Sequence, residues 1–196
     1  MATDNLLKIV KPFFDTHRNH PSVEIEMRLG KVKGKKFETD VGEEVFKKIL
    51  SALEAFGDWE SVTKTKHSIY YSDNKRFMVN EETDESTYMT KKKIINENIK
   101  LDSPLDLRFS VSHEDILNED PSGVMMDYVK LRTRTSFVRK NLSIDMSIIG
   151  GDPDDLDNEE PEVYQIELEI VNPKKVKSED ELYNILYKIE CLLNIL

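Results

Sequence analysis

The stretch VEIEMRLGK, residues 23–31, alternates with a period of two: Val23, Ile25, Met27 and Leu29 on one face, Glu24, Glu26 and Arg28 on the other. That spacing predicts a β-strand with one aliphatic face. Its polar face is unusual. Two glutamates at i and i+2 repel each other along the same side, so something cationic has to meet them there.

The same texture recurs further along. VYQIELEIV (163–171) sets Ile166, Leu168 and Ile170 against Gln165, Glu167 and Glu169. DYVKLRTRTSF (127–137) places Lys130, Arg132 and Arg134 on one face, opposite Val129, Leu131 and Thr133. NLSIDMSII (141–149) opposes Leu142, Ile144, Met146 and Ile148 to Ser143, Asp145 and Ser147. DLRFSVSHE ends on Glu114, KRFMVN carries Arg76 opposite Phe77, and TKKKI puts Lys91 and Lys93 on one face. Taken singly, each is a solvated outer face of an antiparallel sheet. Taken together, the charges are segregated by strand: two strands carry paired glutamates and one carries three cations. That is the pattern of a closed β-barrel whose aliphatic faces point outward under helices and whose lumen is polar.

Between and around these runs the chain is regular. TDNLLKIVKPFFDTH predicts an amphipathic helix, with Pro12 expected to kink or shorten it. KKFETD predicts a short strand. DVGEEVFKKILSALEAFG predicts a helix with Asp40 as N-cap, Glu43 at N3 and Gly57 as its stop. Strands are expected over 59–72, 75–80, 86–96, 105–114, 124–139, 141–149 and 162–171, with SDNK and RKN as hairpin connectors. The acidic stretch GGDPDDLDNEEPE is expected to be a mobile loop. KSEDELYNILYKIECLLNIL predicts a final helix with Ser178 and Glu181 forming a capping box. The expected fold is α+β: a closed antiparallel barrel of about eight strands with a polar tunnel, flanked by helices, in one domain over residues 1–196.

Composition narrows the function. The chain has 196 residues, a formal net charge of −10 and a single cysteine, Cys191. Such acidity argues against a duplex DNA partner, which needs broad basic patches. One cysteine excludes an internal disulfide and a Cys-rich metal site. No apolar run approaches membrane-spanning length and no signal-peptide pattern opens the chain, so no membrane partner and an intracellular location are expected. Within the lumen, four carboxylates (Glu24, Glu26, Glu167, Glu169) on two strands need a cation. A hard divalent ion, Mg²⁺ or Mn²⁺, suits oxygen donors. The cationic strand would then grip a polyphosphate.

These residues resemble the triphosphate tunnel metalloenzymes, in particular the metal-dependent RNA 5′-triphosphatases of fungi, protozoa and large DNA viruses. The family's first-strand Glu-x-Glu-x-Arg-x-Gly pattern is matched by Glu24, Glu26, Arg28 and Gly30, and its alternating last-strand glutamates by Glu167 and Glu169. Gln165 stands where some members have a third glutamate. Arg76, Lys91, Lys130, Arg132, Arg134, Glu114 and Asp145 are similar to the family's tunnel residues. The resemblance implies removal of the γ-phosphate from 5′-triphosphate RNA, the first step of mRNA capping, with NTP hydrolysis in manganese. Glu24, Glu26, Glu167 and Glu169 would hold the metal. Arg76, Lys91, Lys130, Arg132 and Arg134 would bind phosphate. Glu114, or else Glu169, would orient the attacking water, and Asp145 would aim an arginine. Arg28 is either a phosphate ligand or a salt-bridge partner. No aromatic platform is visible in the pattern, so recognition is expected to end near the triphosphate. A Lys-x-Asp-Gly motif is missing, so a guanylyltransferase would act in cis or in trans. The site of mRNA synthesis would be the location: nucleus, virion or viral factory. Other readings are an inorganic or small organic triphosphatase in the same tunnel and a noncatalytic polyphosphate-binding module.

Overall fold

The computed structural model describes residues 2–118, 121–151 and 160–196. The elements in chain order are α1 (Ala2–His17), β1 (Val23–Lys33), β2 (Lys36–Glu38), α2 (Glu43–Ala55), β3 (Ser61–Ser72), β4 (Lys75–Asn80), β5 (Ser86–Ile99), β6 (Asp106–Ile116), β7 (Tyr128–Arg139), β8 (Leu142–Gly150), β9 (Val163–Ile170) and α3 (Glu179–Leu193). Neighbouring strands follow the order β1-β6-β5-β4-β3-β7-β8-β9, and β9 pairs back onto β1. Eight antiparallel strands therefore close a barrel, as the alternation predicted. β2 stays outside the ring, paired to the end of β1 through Lys31↔Glu38.

The aliphatic strand faces point outward into a core shared with the helices. Ile25, Met27 and Leu29 of β1, Leu107, Phe109 and Val111 of β6, and Ile166, Leu168 and Ile170 of β9 are fully buried. Over them lie Leu6, Val10 and Phe14 of α1, Phe46, Ile49 and Leu53 of α2, and Leu182, Leu186 and Ile189 of α3. Each such side chain contributes about 1.5–3 kcal/mol of burial. The hydrophobic effect thus acts outside the barrel, and the lumen is free to be polar.

Local details both follow and depart from expectation. The Ser178–Glu181 capping box is formed on both sides. The tight connectors hold Asp73 and Lys140 in the left-handed region, at φ 52° and 54°, between the pairs Ser72↔Lys75 and Arg139↔Leu142. α1 continues past Pro12 to His17 and is not shortened by it; the carbonyl four residues earlier belongs to exposed Lys8 and can be solvated instead. Asp40 is not the N-cap of α2. Gly42 holds that position without a side-chain cap, and Asp40 Oδ1 accepts from the backbone N–H groups of Gly42 and Tyr164, both at 3.0 Å. The carboxylate ties the β2–α2 connector to β9 rather than starting the helix. β7 begins at Tyr128 rather than 124, after a 3₁₀ turn over Pro121–Gly123 and an irregular connector. Most of the acidic stretch after β8 (152–159) lies outside the described residues.

Gly30 has a steric role. A Cβ there would sit 2.1 Å from the Glu38 carbonyl oxygen and 2.6 Å from the Phe37 ring. The glycine ending the first-strand motif is what lets β2 fold back over the barrel rim.

Candidate functional site

Strand register brings the charged faces together. Across the seam, Glu26 stands opposite Glu169 and Arg28 opposite Glu167. Asp145 faces Glu167 from β8, and Ser147 faces Gln165. Arg134 pairs with Ser147 from β7, and Lys91 with Glu114 between β5 and β6. Every site residue named from the sequence lies on this inward face, yet they divide into groups with different partners.

One group surrounds Glu167. Arg28 ion-pairs with it and with Glu26, the latter at 3.2 Å. Arg134 reaches Glu167 at 2.6 Å and Asp145 at 3.0 Å, and its Nε donates to Ser147 Oγ at 2.9 Å. Ser143 Oγ donates to Asp145 at 2.6 Å. Burial pushes the Glu167 carboxyl up, but Arg28, Arg134, Lys91 and Arg132 outweigh it and hold the group below the usual carboxylate range. Arg28 thus forms ion pairs with both glutamates. Glu167 has two guanidinium partners.

The second group surrounds Lys91. Its ammonium pairs with Glu24, lies 3.0 Å from Glu114 and 4.0 Å from Glu26. Ser112 Oγ donates to Glu24 at 2.6 Å. Burial would lower the Lys91 pKa; Glu26, Glu24 and Glu114 raise it above its ordinary value instead. Two carboxyls are left poorly compensated. Glu26 is raised by burial and then by Glu167, with Arg28 and Lys91 offsetting only part. Glu169 is pushed up to about 7 by burial, then by Glu24 and Asp145, against which Arg134 pulls. These are carboxylates short of positive charge.

The cationic wall is the converse. Arg132 forms no ion pair among the described residues, and its buried Nε has no hydrogen-bond partner there. Burial, then repulsion from Arg134, lowers its pKa to about 10, so it stays charged at neutral pH. Its cross-strand neighbour His67 also carries a buried nitrogen without a partner among the described residues. Burial and then Arg132 and Arg134 depress the His67 pKa. Arg76 rests its guanidinium 5.5 Å from the centre of the Tyr71 ring. Lys130 reaches Glu160 at 3.2 Å, on the acidic stretch. Gln165 Nε2 donates to Thr39 Oγ1 at 2.9 Å, so it is held by the β2–α2 connector.

The donor chemistry fits a hard divalent cation, although no three acidic, imidazole or thiolate groups among the described residues stand close enough to hold one as arranged. Lys91 sits between the carboxylates and partly neutralises them. Sequence reasoning did not single out His67, Ser112, or the lumen-facing pair Tyr71 and Tyr128. Alternation puts Ser112 on the face of Glu114 and Tyr128 on that of Lys130, but their cross-strand neighbours are set by register between distant strands.

Solved structures share this closed eight-stranded barrel with its flanking helices. The chain superposes on the Pct1 RNA triphosphatase of Schizosaccharomyces pombe with a TM-score of 0.79 at 17% identity, covering 98% of this chain and 92% of that one. The RNA triphosphatase domain of the trifunctional mimivirus mRNA capping enzyme gives 0.68 at 13% identity, covering 98% and 96%. A chain of the S. pombe Mediator head module gives 0.56 at 10% identity, covering 87% and 94%. No family model matches the sequence, and no curated protein matches it. The barrel is thus shared by proteins in different settings, and function has to be argued from the lumen.

Proposed function

We propose that the protein removes the γ-phosphate from the 5′-triphosphate end of RNA, the first step of cap formation, using Mg²⁺ or Mn²⁺. One observation carries the reading. A single closed lumen sets charge-deficient carboxylates, Glu26 and Glu169, against Arg132, a guanidinium with no ion pair among the described residues. A divalent cation together with a polyphosphate satisfies both sides at once; neither alone does.

Glu24, Glu26 and Glu169 would hold the metal. Glu167, already engaged by Arg28 and Arg134, would instead fix those arginines. The metal, when bound, supplies positive charge to a γ-phosphate oxygen and stabilises the charge developing there. Arg132, Arg76 and Lys130 grip the remaining phosphate oxygens, and Arg134 is aimed by Asp145. Lys91 releases its carboxylates and turns to phosphate. Glu114 accepts the proton of the attacking water. Such preorganised electrostatics accounts for most of phosphoryl transfer catalysis. NTP hydrolysis in manganese is expected from the same lumen, and a guanylyltransferase, in cis or in trans, would use the diphosphate end.

The test compares phosphate release from 5′-triphosphate RNA, ATP and inorganic tripolyphosphate, with Mn²⁺ or Mg²⁺ and in excess chelator. RNA should be the preferred substrate and chelator should abolish release. Release undiminished by chelator removes the metal from the proposal. Preference for tripolyphosphate replaces it with an inorganic triphosphatase.

A further inference from the structure

At one mouth of the tunnel, Tyr128 opens β7 and Tyr71 stands opposite it near the end of β3. Their rings stack, with centroids 4.8 Å apart and an interplanar angle of 18°. Tyr71 sits between the two phosphate-site arginines: Arg76 rests over its ring, and its hydroxyl lies within electrostatic reach of Arg132. Arg76 in turn is close enough to oppose the charge on Lys91. The aromatic pair is therefore built into the cationic wall. Tyr128 itself is 53% exposed.

A single exposed aromatic ring is ordinary, and a cross-strand tyrosine pair steadies a sheet by less than about 1 kcal/mol. Position makes this pair informative. Tyr128, Lys130, Arg132 and Arg134 occupy alternate positions of one strand, so they line one face at about 7 Å per step. Arg134 lies at the carboxylate end, against Glu167 and Asp145. A triphosphate is shorter than this row, so one held between Arg132 and Lys130, with its γ-phosphate toward the Arg134 end, directs its ribose and base toward the next step, which is Tyr128.

We infer that the Tyr71–Tyr128 stack is a platform for the first nucleobase of the substrate, and that it makes the tunnel select nucleoside-linked triphosphates over inorganic ones. This rests on the proposed triphosphate site and adds a recognition element to it. Stacking accepts every base, because each has a π face. Arg76 and Arg132 add positive charge beside the platform.

The experiment measures equilibrium binding of β,γ-imido nucleoside triphosphates, one with adenine and one with uracil, and of inorganic imidotriphosphate, all with Mn²⁺. Stacking of one base is worth about 1–3 kcal/mol, or roughly 5- to 150-fold in affinity. Tyr128→Ala and Tyr128→Leu should lose that factor for both nucleotides and leave imidotriphosphate binding within about twofold. Tyr128→Phe should bind all three like wild type. Leu keeps apolar bulk without a π face, so its loss would separate stacking from packing. Equal loss for nucleotide and inorganic analogues, or no loss for any, overturns the platform. Tyr128-dependent nucleotide binding in a protein that hydrolyses no RNA would remove the hydrolase reading and leave the platform standing.

Discussion

Glu169→Gln should change how stability depends on pH, because the wild-type carboxyl is held in a place that disfavours its charge. Burial, then Glu24 and Asp145, raise its pKa from 4.5 to about 7. A carboxyl raised in the folded state binds its proton more tightly there than when unfolded. Its stabilising contribution is thus fully present below about pH 4.5 and is lost as pH rises through about 7. At roughly 1.4 kcal/mol for each tenfold in proton affinity, the complete span is about 3 kcal/mol. Between about pH 5 and pH 8 the wild type should lose about 2.5 kcal/mol of it. For a chain of this length that is a fall of about 5–10 °C in Tm. The variant's neutral amide has nothing to titrate, so its profile should be flatter. The assay is thermal unfolding of both proteins in chelator across this range. Adding Mn²⁺ at about pH 8 should then raise wild type more than the variant, since the metal binds only the folded site and Glu169 is one of its proposed ligands. Parallel pH profiles for the two proteins would refute the electrostatic argument, and equal manganese shifts would remove Glu169 from the ligand set.

The two lumen arginines should separate. Arg134→Ala leaves buried Asp145 without its ion-pair partner and Glu167 with Arg28 alone, and should cost about 3–5 kcal/mol of stability in a urea titration; a fully stable variant would contradict the network. Arg132→Ala breaks no ion pair among the described residues, so it should fold as well as wild type or better while kcat falls about 10²- to 10³-fold, and retained turnover would exclude it from phosphate binding. Glu114→Gln should cut kcat with little effect on manganese-induced stabilisation, whereas Glu24→Gln should reduce both; the reverse pattern would exchange their roles. Gly30→Ala should destabilise by about 1–3 kcal/mol through its clash with Glu38 and Phe37, read as a lower Tm, and an unchanged Tm would mean that β2 moves aside freely.

The faces of β1, β6, β8 and β9 were legible because each carries an unbroken apolar side, whereas the outward faces of β3, β5 and β7 are interrupted by polar residues such as Lys64, Lys92 and Thr133. Once β1 and β9 were aligned with β7 and β8 by that rule, closure around the charged side followed. Position along a strand was harder. β5 changes register between Lys93 and Ile95, so alternation alone could not settle which lysine of TKKKI meets Glu114. Asp40 looked like a helix cap because the local pattern fits, and it was diverted by Tyr164, a residue on another strand.

Partners are the part that alternation cannot supply, and Glu167 and Glu169 show why. They are two residues apart on one strand face, and in sequence they are a matched pair. In the barrel, Glu167 stands opposite Arg28 and Asp145, and the Arg134 side chain reaches it across β8. Glu169 stands opposite Glu26 and Ser143. One step along the strand therefore exchanges guanidinium neighbours for a carboxylate and a hydroxyl. The first glutamate is held below the ordinary carboxylate range by Arg28 and Arg134 despite its burial, and the second is pushed up to about 7 by burial and then by Glu24. A pair that looks matched in sequence thus divides in its charge environment, Glu167 between two guanidinium groups and Glu169 short of positive charge. On the proposed function, the metal would lie toward Glu24, Glu26 and Glu169, and Arg132, one strand position beyond Arg134's network and without an ion pair among the described residues, would be the cation that meets phosphate.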